Sequence, residues 1–267
     1  IASRSTEVRY ATALDLSSRQ TLTVHRSLCA AYRSWLGIGA ERCGEEIESE
    51  LARFEGTHAA LKGGGPELGL PMPSSPVAAA HARIEPLWQT FRSVLEEVRA
   101  RQADAPQRLD RAGQALAEAC DRLGSVYEAE ARDVMGWGAA RQVRHAGSLR
   151  GIPHEVLQRL YAAAMGIDPE AQRRAIAARA TIFDAAREML RVGDAPLAPP
   201  SPPGPAIRVQ LDVLQRAWGE FHALVSDSAA DPSPGAEGLL RGRDLADSLL
   251  TGTEALAREV MKRGTRE

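Results

Sequence analysis

Lysine is nearly absent from this chain: of 33 basic residues only Lys62 and Lys262 are lysine. Arginine elsewhere, together with abundant alanine, reflects a GC-rich coding sequence more simply than phosphate recognition. The formal net charge of -2 over 267 residues supplies no field that favours nucleic acid or an anionic membrane. No segment approaches the ~20 consecutive apolar residues of a membrane-spanning helix. Ile1 to Glu7 carry no apolar signal-peptide core. Cysteine is sparse, and Cys29, Cys43 and Cys120 show neither CxxC nor CxxCH spacing. An odd count argues against a full disulfide framework, so all three are expected to be small buried hydrophobes.

Catalytic patterns are missing too. There is no strand followed by a glycine-rich phosphate loop, no HExxH, and no ExxH pair on two helices as a di-iron bundle requires. No Ser, Cys or His sits in a nucleophile motif, so no enzyme is expected. Glu45, Glu46, Glu48 and Glu50 crowd one helix start, where they suit the dipole and solvent. Alternating β-branched and aromatic residues never run for five positions, which leaves no strand.

Helical periodicity fills the space. Val24, Leu28, Ala31 and Trp35 share one helix face, as do Ile176, Ala180 and Phe183, and Leu211, Leu214, Trp218 and Phe221. Gly37, Gly39 and Gly44 end the first helix, and glycine- and proline-rich loops follow at 63–76, 193–205 and 231–235. Asp168-Pro169 reads as an N-cap with proline at the first helical position. The pattern predicts an all-α fold of about eight helices, over 5–36, 44–62, 77–102, 107–135, 139–166, 169–191, 206–228 and 236–262.

The pattern also repeats. Sliding the chain on itself by 129 residues pairs His25 with His154, Leu28 with Leu157, Tyr32 with Tyr161, Gly37-Ile38 with Gly166-Ile167, and Phe54 with Phe183. One more residue of offset pairs Trp88 with Trp218 and Phe91 with Phe221, each pair following a proline-rich loop. The chain is expected to be two tandem four-helix bundles, 1–136 and 137–267, with these aromatics anchoring two bundle cores.

Each repeat opens on a motif. The second reads His145-Ala146-Gly147-Ser148-Leu149-Arg150 and then an apolar helix to Met165-Gly166-Ile167. It resembles the first helix of the periplasmic domain of nitrate/nitrite sensor kinases. The first repeat, Leu16-Ser17-Ser18-Arg19-Gln20-Thr21-Leu22, is similar to the related form in PilJ-type chemotaxis transducer domains, as is Leu51-Ala52-Arg53-Phe54-Glu55 downstream. The resemblance implies a periplasmic bundle, its leader removed, that pairs with a second copy. It also implies a small oxyanion such as nitrate or nitrite held between the two first helices by one arginine from each copy. Here duplication supplies both halves as an intramolecular pseudo-dimer.

The candidate ligand residues are therefore Arg150, Gly147, Ser148 and His154 from the second repeat, and Arg19, Thr21, Ser18, Arg26 and His25 from the first. A guanidinium fork suits a planar oxyanion, and a glycine lets backbone approach it. The repeats have diverged: Arg150 is matched by Thr21, Ser148 by Arg19, Gly147 by Ser18, and Glu155 by Arg26. The expectation is an asymmetric site in which Arg150 opposes Arg19 or Arg26 and Thr21, with Pro153 kinking the ligand helix or marking its start. His25 and His154 are expected to face each other across the pseudo-twofold axis. Glu155 is expected to point elsewhere, and no metal or cofactor is expected. The implied partners are a small anion and a membrane-bound signalling or transport protein, with Gly136-Trp137-Gly138 as a hinge between the bundles. The alternatives are an interaction scaffold with a degenerate site and a metal- or haem-binding bundle.

Overall fold

A computed structural model describes residues 2–64, 69–192, 204–231 and 235–265. Among them are eight α-helices and no strand: α1 (Ala2–Leu36), α2 (Cys43–Gly63), α3 (Ser75–Arg99), α4 (Ala105–Met135), α5 (Trp137–Ala164), α6 (Pro169–Val192), α7 (Pro205–Ala230) and α8 (Ala236–Gly264). Residues 193–203, and parts of the predicted loops at 63–76 and 231–235, lie outside the described residues.

Local chemistry sets the boundaries. α1 stops because Gly37 turns left-handed (φ 73°) and the Ile38 amide reaches back to Arg33 O at 2.9 Å. The second repeat ends α5 in the same way, with Gly166 at φ 80° and Ile167 N–H donating to Ala162 O at 3.0 Å. Asp168 caps α6 through Ala171 N–H (3.1 Å), as its position before Pro169 predicts. Three expectations need correction. Gly44 lies inside α2, and a 3₁₀ turn, Ala40–Arg42, separates it from α1. Pro153 does not start a helix; α5 runs through it and gives up the one backbone donor that proline lacks. The expected three-residue link is shorter: Gly136 alone separates α4 from α5, since Trp137 and Gly138 belong to α5, and the Arg132 guanidinium lies 3.6 Å over the Trp137 ring.

α1 packs on α2, α4 and α5; α5 packs on α1, α4, α6 and α8; α3 covers α4, and α7 covers α8. The two leading helices thus lie against each other at the centre. The internal symmetry extends to side chains. Phe54 stacks on Trp88 at 4.1 Å between ring centroids, and Phe183 on Trp218 at 3.9 Å. A Cβ on Gly113 would strike Leu28, and one on Gly242 would press on Leu157 at the equivalent place. Tyr32 donates to Asp110 Oδ1 (3.0 Å) and Tyr161 to Leu239 O (3.1 Å), partners again 129 residues apart. The buried apolar side chains form one continuous core, where two separate bundle cores were expected. Buried apolar side chains of α1 and α5, among them Val24, Leu28, Leu149, Val156 and Leu157, make the core continuous across the two helices. All three cysteines are buried and unpaired. Glu50 is not on a solvated face: it is 3% exposed and accepts from Arg26, because α2 turns it toward α1.

Candidate functional site

Where α1, α4 and α5 meet, with α6 at the rim, lies a solvent-open cavity of about 150 Å³ with both polar and apolar walls. Ser18, Thr21 and His25 on α1 and Gly147, Ser148 and Gly151 on α5 line it, which are the motif segments of both repeats. The close approach there depends on Gly147, because a Cβ at that position would stand 2.4 Å from Ser18 Oγ. Ser18 is the residue equivalent to Gly147, so one copy provides the hydroxyl and the other the gap. Gly147→Ser is therefore expected to cost about 1–3 kcal/mol by overpacking. Adding Ser18→Gly should recover most of it, read from urea midpoints of the two variants; equal midpoints would mean the helices do not meet here.

The wall is charge-balanced. Arg144, Arg159 and Arg179 are set against Glu118, Asp121 and Glu155. Arg144 donates to Asp121 Oδ1 (3.0 Å), Arg159 to Glu155 Oε1 (2.8 Å) and Arg179 to the same oxygen (2.7 Å). Burial pushes the Glu155 carboxyl up, but His25, Arg179 and Arg159 outweigh it and hold the group below its ordinary range. Thr21 Oγ1 is shut off from solvent and has no hydrogen-bond partner.

Behind the cavity runs a buried polar chain. Asp110 Oδ1 accepts from Gln158 Nε2 (3.2 Å), and Gln158 Oε1 faces His25 Nδ1 at 2.9 Å. With its amide nitrogen spent on the carboxylate, Gln158 turns its oxygen to the ring, so His25 carries its proton on Nδ1. Burial pushes the His25 pKa down against the pull of Glu155, which keeps the ring neutral at neutral pH.

The other candidates lie elsewhere. Arg150 is 0% exposed and does not line the cavity; it meets Arg19 across the Asp15 carboxylate, while Arg26 pairs elsewhere. Its Nη2 donates to Asp15 Oδ1 (2.6 Å), and Arg19 Nε takes Asp15 Oδ2 (2.8 Å), so one carboxylate neutralises both. Burial raises the Asp15 pKa, and Arg150 and Arg19 more than reverse it. Arg26 pairs with Glu50 (2.9 Å). The imidazoles do not face each other: His25 turns to Gln158, and His154 Nε2 turns to Asp247 (3.2 Å). Glu155 points toward the cavity, with Oε2 at 3.9 Å from His25 Nε2. Among the described residues no three His, Cys, Asp or Glu side chains converge as metal ligands.

Arg144, Arg159, Arg179, Gln158, Asp110 and Asp15 escaped the sequence reading. For Arg179 a signal existed. Arg26 and Glu50 align by the repeat shift with Glu155 and Arg179, and the structure joins both couples, at 2.9 and 2.7 Å, with the charges exchanged. A paired reversal at one offset betrays contact. Asp15 offered half a signal: its spacing of four marks Arg19 as a partner, but nothing local marks Arg150. No protein-family model matches this chain, and no curated protein does.

Proposed function

We propose that the chain is a small-ligand-binding or sensing module, that its site is the cavity between α1 and α5, and that it takes a small oxyanion of the nitrate or nitrite type. The observation that carries this reading is a cavity between the two motif segments that brings the Arg144, Arg159 and Arg179 guanidiniums together beside Gly147 and Gly151. Occupancy would be passed to a membrane-bound signalling or transport protein through the surrounding helices, in a periplasmic setting. None of the described helices is long and apolar enough to cross a membrane. The second reading, a scaffold with a degenerate site, is favoured by Arg150, whose charge is spent on Asp15.

Thermal shift at constant ionic strength separates the two. Sodium nitrate, sodium nitrite or sodium formate at 100 times its Kd should add about 2.7 kcal/mol of stability. Gly151→Met should abolish that gain, because an added Cβ there meets nothing within 4 Å and the side chain would fill the cavity. Stabilisation that survives Gly151→Met would place the ligand elsewhere. No stabilisation by any of the three anions would leave the scaffold.

A further inference from the structure

We propose that the cavity takes up its oxyanion together with one proton, which is drawn from solvent and held on His25 Nε2. The inference rests on the ligand-binding reading above and adds its regulation. Its basis is a missing donor. His25 Nδ1–H is committed to Gln158 Oε1 (2.9 Å), and Gln158 is itself oriented by Asp110. The neutral ring therefore offers only the Nε2 lone pair to the cavity. Beside it, at 3.9 Å, stands Glu155 Oε2, which can only accept. Two acceptors thus face each other in the wall of the cavity.

An oxyanion seated there would be a third acceptor and a second negative charge against an unprotonated imidazole. Protonating Nε2 turns the ring into a charged donor that can serve the anion and Glu155 together. The new N–H bond forms on Nε2, the Nδ1–H bond to Gln158 stays, and no other bond changes. The charged groups around the ring agree with this. Glu155 favours imidazolium, Arg159, Arg179 and His154 oppose it, and Glu118 lies across the cavity on α4. The empty site keeps the ring neutral, and an added anion is what tips the balance.

The sign follows. Burial holds the free ring below its ordinary value, and an anion beside it would raise that value. Between those two values binding consumes a proton, and affinity falls up to tenfold for each unit of rising pH. Below the free value the affinity levels off.

Calorimetry on the whole chain tests this with sodium nitrate, sodium nitrite and sodium formate, the tightest binder being carried forward. Titrations in two buffers of different ionisation enthalpy at about pH 7 should show net proton uptake on binding, at most one proton per anion. His25→Gln, a donor that does not titrate, should keep binding but lose both the uptake and the pH slope. Nitrogen NMR of the wild-type His25 ring gives a second readout that needs no variant: Nε2 bare when empty, protonated when saturated. Binding with no proton uptake and a flat pH profile overturns the proposal while leaving the site in place. Failure of all three anions to bind between about pH 5.5 and 8 removes the site reading and this proposal with it.

Discussion

Asp15→Ala is expected to destabilise the chain by about 3–5 kcal/mol, the scale for removing one partner from a buried ion pair. Arg150 has no solvent to fall back on: its side chain is 1% exposed, and its Nε and Nη1 already lack partners. Taking away the carboxylate would strand a guanidinium between α1 and α5, at the centre of the molecule. Arg19 shares the same carboxylate, but its side chain is 37% exposed and also reaches Glu254 at 3.2 Å. Arg19→Ala should therefore cost less than about 1 kcal/mol. The double variant Asp15→Leu with Arg150→Met should return close to wild-type stability, because an apolar pair of similar volume avoids the desolvation cost. Chemical denaturation of the four proteins checks the series. A loss below about 1 kcal/mol for Asp15→Ala would show that Arg150 reaches water or another acceptor.

Phe183→Ala should cost about 3–5 kcal/mol, and Phe54→Ala should cost the same within about 1 kcal/mol. Each ring is fully buried and stacked on the tryptophan of its own bundle, at 3.9 Å for Phe183 and 4.1 Å for Phe54. The lost transfer energy and the cavity left behind should be similar because the stacked pair is repeated, although Phe54 also stacks on His58 at 5.9 Å. The stacks share no side chain, so the double variant should lose about the sum of the two. Urea unfolding measures all three. A phenylalanine whose loss costs under half that of its twin would show that one bundle carries the stability and the other only leans on it.

Most of the architecture was legible because it rests on short-range chemistry. Apolar residues at spacings of 3 and 4 place helices, and glycine, proline and Asx residues end them, whatever lies elsewhere in the chain. The sequence repeat exposed the pairing of Gly37 with Gly166 and of Phe54 with Phe183, and all four residues occupy equivalent positions in the fold. The motif segments pointed to the meeting place of α1 and α5, and five of the nine candidate residues line its cavity: Ser18, Thr21, His25, Gly147 and Ser148. The other four, Arg19, Arg26, Arg150 and His154, lie outside it, each facing a carboxylate; for Arg150 and His154 that partner is far away in the chain, where no spacing rule points to it.

The sequence by itself determined the helices, their ends and the twofold plan, since each depends on residues a few positions apart or on a fixed offset. Only the tertiary structure decided which charges are spent and which are left. Asp15 and Arg150 are 135 positions apart, and His25 and Gln158 are 133 apart. Whether a buried guanidinium or imidazole is free to meet a ligand depends on what the packing of α1, α4, α5 and α6 sets within about 3 Å of it, the distance at which hydrogen bonds form.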